Sequence, residues 1–181
     1  ADNCIVVCSN GGAQRGHTVL KSDRTRHVFH HFGSGTLNGA DTYLPEDFIL
    51  NPLVFREEWE ELKKLGWEPH VYIHEKCMIT NPLDMMANQI IERSRGNNKH
   101  GSCGMGIYNT IQRYENNINT FILSWSYYMD MFKRMGIILS EQEEKLFTHF
   151  KGLWDHYDED LDFMMSHVHV VNNDQLLNGY G

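Results

Sequence analysis

The sequence predicts an α/β domain with a helical insertion or appendage, and three observations carry that reading. Short apolar or β-branched runs alternate with helix-like stretches through the first half of the chain. Two Asn-Pro pairs, Asn51-Pro52 and Asn81-Pro82, each follow a strand-like run and open a helix-like one. From about residue 118 the pattern is helix-rich.

Taken in order, "CIVVC" at 4–8 reads as a buried strand, because it is short, apolar and bounded by polar residues. Residues 17–22 and 27–33 are shorter strands around the polar turn "SDRTR", and "DFIL" at 47–50 is another. Asn51 then caps a helix whose first turn tolerates Pro52, with Leu53, Phe55, Trp59, Leu62 and Leu65 at near-helical spacing and Gly66 as its stop. "PHVYIHEKCMI" at 69–79 returns to strand, and Asn81-Pro82 starts a helix to about Arg95. After the glycine cluster "GSCGMG" at 101–106, a helix starts near Gly104 and runs to about Arg113. Further helices cover about 118–134, a segment opened by the Ser140–Glu143 capping box, and about 154–167. The chain divides into an α/β part, 1–117, and a helical region of the same domain, 118–181.

Composition narrows the function classes. With 181 residues, 41% hydrophobic and 22% charged, the chain can bury a core of its own. A formal net charge of −8 with no basic block argues against a nonspecific nucleic-acid binder. No apolar run approaches the roughly 20 residues that span a bilayer. Cys4, Cys8, Cys77 and Cys103 are scattered without a Cys-x-x-Cys pair, which points to reduced thiols in a cytoplasm. A strand almost at the first residue and a turn-like end read as an internal fragment.

The candidate chemistry gathers on two glycine-rich stretches. In "SNGGAQRGHTVL" (9–20), Gly11, Gly12 and Gly16 permit a turn that a ligand can approach, and His17 on that turn can exchange a proton near neutral pH. A plain turn with a solvent-facing histidine is the alternative. In "GSCGMG" neither Ser102 nor Cys103 has the spacing of a nucleophile elbow, and Ser34 in "GSG" lacks it too. Neither glycine stretch matches the Gly-x4-Gly-Lys-Ser/Thr phosphate loop. Eleven histidines, in groups at His27, His30 and His31 and at His167 and His169, raise a rival reading as a zinc-binding protein, with the last two facing one way on a strand. The acidic run "DHYDEDLD" at 155–162 reads as a solvated helix face.

The order of "IVVCSNGGAQRGHTV", "HHFGSGTL", "FILNPLVFREEWEELKKLG", "IHEKCMITNPLDMMANQIIERSRG" and "KHGSCGMGI" resembles the adenylosuccinate synthetase family. That family shows Gly-Gly-x-Asn-Ala-Gly-His-Thr after a strand, then His-x-x-Pro-Ser-Gly-Ile-Leu, then Gly-Thr-Thr-Gly-Arg-Gly-Ile-Gly. The likeness runs from about Cys4 to Arg113. It implies a mainly parallel central sheet with flanking helices, a P-loop-NTPase-like synthetase fold present in part. It further implies a ligase that uses GTP, or ATP, to join aspartate to the 6-position of IMP, or of dGMP in a viral-type branch. Under the resemblance His17 is the general acid and the Gly16 carbonyl meets Mg2+. Gln14 and Arg15 then hold the nucleotide, Ser102 and Cys103 its phosphate, and Arg113 a nucleotide across a homodimer. The family's Gly-Asp-Glu-Gly-Lys-Gly loop is expected before residue 1 and its Glu-Gly-Ala-Gln-Gly segment after Gly181. Gln14, Cys103 and Met105 replace Asn, Thr and Arg of the pattern, which marks a divergent branch. A nucleotide-binding or assembly module that has lost catalysis is the other rival.

Overall fold

The computed structural model describes residues 5–116 and 125–172. β1 (Val6–Cys8) precedes the hairpin strands β2 (His17–Leu20) and β3 (Arg26–Phe29), followed by β4 (Asp41–Leu44) and β5 (Ile49–Leu50). α1 (Pro52–Lys64) leads into β6 (Val71–His74) and β7 (Met78–Ile79), and α2 (Pro82–Ser94) is followed by α3 (Ile107–Glu115). Then come α4 (Trp125–Arg134), α5 (Glu141–Asp155), α6 (Tyr157–Ser166) and β8 (His169–Val171). The chain forms two compact units: one takes in the chain up to Ile79 and from Glu159 onward, the other runs from Thr80 to Asp158.

The first unit is built on a four-stranded sheet in the order β1-β4-β6-β8, every neighbouring pair parallel. β5 and β7 form a second parallel pair, and β2 with β3 an antiparallel hairpin in which His17 stands opposite Phe29. A mainly parallel sheet is therefore present as expected. Asn51 caps α1 by accepting the Val54 amide at 3.4 Å, so the Asn-Pro start is used as its chemistry dictates. Phe55, Trp59 and Leu62 face inward from α1 and pack with Phe29, Phe32, Phe48 and Met164. Each such side chain taken fully out of water contributes about 1.5–3 kcal/mol.

The second unit is helical. Leu83, Met86, Ala87 and Ile90 fall at i, i+3, i+4 and i+7 along α2 and pack on Tyr128 and Phe132 of α4 and Phe150 of α5. Asp84, 0% exposed, closes the capping box at the start of α2, taking the Asn81 amide at 3.2 Å while Asn81 takes the Asp84 amide at 2.9 Å. The same carboxylate accepts from Arg113 Nη2 at 2.8 Å, Thr110 Oγ1 at 3.1 Å and the Tyr128 hydroxyl at 2.8 Å. Burial and the adjoining Asp84 carboxylate push the Tyr128 phenol well above its ordinary range.

Several expectations are corrected. Among the described residues only β4 pairs with β1, which stands at the edge of the sheet with Cys8 exposed. The 27–33 strand stops at Phe29, since the next three residues turn their backbone groups to side chains. The 69–79 run is two strands, broken where the Cys77 amide bonds back to the His74 carbonyl at 3.0 Å. α3 starts at Ile107 and not near Gly104, because Gly106 sits in the left-handed region at φ +77° and cannot continue a helix. The 154–167 helix is α6 alone, separated from α5 at His156. β8 begins at His169 and His167 precedes it, so the two histidines do not face one way on a strand. Residues 118–124 of the expected 118–134 helix lie outside the described residues; α4 covers the rest.

Candidate functional site

The two glycine stretches lie in different units. In the first, the chain leaves β1 and turns at Gly11, whose φ of +96° favours glycine. It then lies along β5: the Ile49 amide donates to the Gly11 carbonyl at 2.9 Å, and the Ala13 amide to the Ile49 carbonyl at 3.2 Å. Gln14 is exposed. A Cβ at Gly16 would meet only Val28 Cγ1, at an ordinary 3.5 Å, so packing does not require glycine there. His17 follows as the first residue of β2, with its ring exposed.

Arg15 points inward. Its Nε donates to the His30 carbonyl, and Nη2 to the carbonyls of His31 at 3.0 Å and Phe32 at 3.1 Å. The guanidinium lies 5.5 Å from the centre of the Phe48 ring. Burial lowers its pKa, with Glu58 opposing.

The amides of the same three residues go the other way. Glu58 of α1 accepts from His30 at 2.9 Å, His31 at 2.7 Å and Phe32 at 3.4 Å. His27 Nε2 and His31 Nδ1 lie 3.7 and 3.5 Å from its oxygens. The Asn51 amide donates to His31 Nε2 at 3.0 Å, so the ring proton of neutral His31 sits on Nδ1, facing Glu58. Burial alone would raise the Glu58 pKa, but the His27 and His31 side chains and the His31 amide outweigh it and hold the carboxyl at about 2. Burial lowers the pKa of His31, keeping it neutral.

In the second unit, Glu92 of α2 shapes the other loop. Its Oε1 accepts the amides of Gly101 at 2.7 Å and Ser102 at 3.3 Å, and its Oε2 accepts from Arg95 at 2.7 Å. The Ser102 hydroxyl donates to Asn88 Oδ1 at 2.8 Å, and that oxygen also takes the Gly106 amide at 3.3 Å. Ser102 and Cys103 are exposed. Arg113 is 3% exposed, its guanidinium closed on Asp84, and so it lies inside its unit. The structure thus brings Gln14, Arg15, Gly16 and His17 together on one loop, and Ser102 with Cys103 on another.

The histidines have other partners: His167 stacks on Phe163 at 4.1 Å between ring centres, and His169 on Tyr72 at 5.2 Å. Among the described residues, no group of three or more His, Cys, Asp or Glu is placed to hold a metal ion. Among the described residues, no helix is long and apolar enough to cross a membrane. Glu58, Glu92, Asn88 and Asp84 were missed from the sequence. Glu58 was findable, since it lies three residues after Phe55 and four before Leu62, on the inward stripe of α1.

The model of one family, adenylosuccinate synthetase, matches residues 1–175. Adenylosuccinate synthetase of Acaryochloris marina is 36% identical over 105 residues, 57% of this chain and 23% of that protein. The Synechocystis enzyme of the same name is 27% identical over 152 residues, 83% of this chain and 30% of that protein. The chain thus spans about a quarter of the length of curated relatives it matches. Among solved structures, fully ligated adenylosuccinate synthetase from Plasmodium falciparum matches with a TM-score of 0.54 at 18% identity, over 93% of this chain and 45% of that one. Cyanophage S-2L succinoaminodeoxyadenylate synthetase, bound to dGMP and dATP as an energy donor, matches with 0.53 at 14%, over 95% and 38%. Both likenesses show a shared fold. With the family model matching residues 1–175 of its 181, the chain belongs to the adenylosuccinate synthetase family.

Proposed function

We propose that the natural full-length protein containing this chain is a purine-nucleotide ligase of the adenylosuccinate synthetase type. It consumes GTP or ATP to join aspartate to the 6-position of IMP or dGMP, working as a cytoplasmic homodimer. The observation that carries the reading is the family match over residues 1–175, which takes in both glycine loops. In this reading the 6-oxygen first receives a phosphoryl group, and aspartate then displaces phosphate. His17, exposed at the head of β2, is assigned as the general acid at the purine oxygen. Gln14 contacts the nucleotide, and Ser102 and Cys103, exposed on the second loop, its phosphate. Arg15 and Arg113, with guanidinium groups engaged inside the fold, hold backbone and helix in place.

Magnesium fits this chain through one hard oxygen donor, the carbonyl of the exposed Gly16. A magnesium ion bound there with nucleotide phosphates supplies charge neutralisation at the transferring phosphoryl group. The test is His17→Asn in the full-length protein. Turnover falls roughly a hundredfold or more, the range for losing acid–base catalysis, while nucleotide affinity changes only a few-fold. Equal turnover in variant and parent overturns the assignment.

A further inference from the structure

Between His30 and Phe32 the backbone is held from both sides by opposite charges. Its carbonyls face the Arg15 guanidinium and its amides face the Glu58 carboxylate. The peptide dipoles therefore run from a buried anion to a cation, an arrangement in which each charge strengthens the other's hydrogen bonds. Glu58 is 3% exposed. The tie is reciprocal at the first residue, because the Arg15 carbonyl meets His30 Nδ1. His17 is attached to this clamp twice over. It lies two residues after Arg15, and it pairs across the hairpin with Phe29, the residue just before His30. No described contact holds the exposed His17 ring itself in place, so its position follows from its backbone.

From this we infer that Glu58 is a positioning residue: with Arg15 it fixes the 30–32 backbone and so sets where His17 is presented to substrate. The inference rests on the reading of His17 given above. Loss of the carboxylate leaves three amides without their charged acceptor and lets the segment shift. An ångström-scale misplacement of a catalytic group is enough to cost turnover about a hundredfold.

The experiment is a double-mutant cycle between Glu58→Gln and His17→Asn in the full-length protein. Readouts are aspartate-dependent turnover, nucleotide dissociation constant, and hydrogen exchange at the His30 and His31 amides. Expected for Glu58→Gln alone is a tenfold or larger fall in kcat, a KM for nucleotide within about threefold of the parent, and faster exchange at both amides. In the His17→Asn background the same substitution leaves turnover unchanged, because the group it positions is gone. Persistence of the full Glu58→Gln loss in that background overturns the proposal while leaving the His17 assignment intact. If His17→Asn alone leaves turnover unchanged, the assignment falls, and the proposal with it. Arg15→Lys, which keeps the charge but loses the fork, goes through the same cycle should Glu58→Gln fail to fold, with the same two outcomes deciding.

Discussion

Replacing Asp84 by alanine tests how the helical unit is held. The carboxylate is fully buried and accepts from Arg113, Thr110, Tyr128 and the Asn81 amide. Removing it takes the Asp84 ion pair from the buried Arg113 guanidinium, and breaking a buried ion pair from one side costs about 3–5 kcal/mol. Loss of the capping box adds about 1 kcal/mol. The expected total, about 4–6 kcal/mol, is comparable to the whole stability of many domains. Far-UV circular dichroism in a urea titration measures it, through a shifted midpoint or helix already lost in buffer. Tyr128→Phe removes one hydrogen bond to a charged acceptor and costs about 1.5–3 kcal/mol in the same assay. The double variant Asp84→Leu/Arg113→Met recovers part of the loss, because both members of the buried ion pair are replaced by apolar groups. A cost below about 1 kcal/mol for Asp84→Ala would refute the reasoning.

Two further outcomes follow from backbone and charge. At Gly106 an added Cβ would lie 2.7 Å from backbone atoms of Asp84 and Met85, at φ +77°, so Gly106→Ala destabilises by about 2–5 kcal/mol. Gly39→Ala, at φ +79° with open space around it, costs only about 1–2 kcal/mol. Urea midpoints for the two variants check the order. For pH, Glu58 titrates near 2 in the fold, against about 4.3 in an unfolded chain. Its contribution, about 3 kcal/mol, is present above about pH 5 and is lost as pH falls towards 2. His31, whose pKa burial lowers, adds a decline beginning below about pH 6.5, where the unfolded chain takes up the proton first. The urea midpoint therefore falls steadily from pH 7 to pH 3, and Glu58→Gln flattens the lower part of that fall. A midpoint that rises on acidification contradicts both assignments.

The sequence made the helix starts legible because their chemistry is local. Asn51-Pro52, Asn81-Pro82 and the Ser140–Glu143 box each act within one turn, and each begins a helix in the structure. Strand ends were less legible, since what stops β3 at Phe29 is Glu58 and Arg15, 29 and 14 residues distant in sequence. The exposed edge position of β1 and the pairing of β8 on β6 are likewise set by long-range partners. At the site, the glycine loops and His17 were visible as motifs. Of the carboxylates that shape their surroundings, Glu58 is legible from its spacing on the inward stripe of α1, whereas Glu92 on α2 is not, because there only tertiary packing separates a buried glutamate from a solvated one.

The most direct measurement is a product assay on the full-length protein, supplied with Mg2+, aspartate, GTP or ATP, and either IMP or dGMP. Ligase function predicts an aspartate adduct of one of the two nucleotides, formed with release of inorganic phosphate and dependent on both aspartate and the triphosphate. No adduct with either nucleotide under any of the four pairings, from folded protein that binds them, would contradict it and leave a nucleotide-binding module.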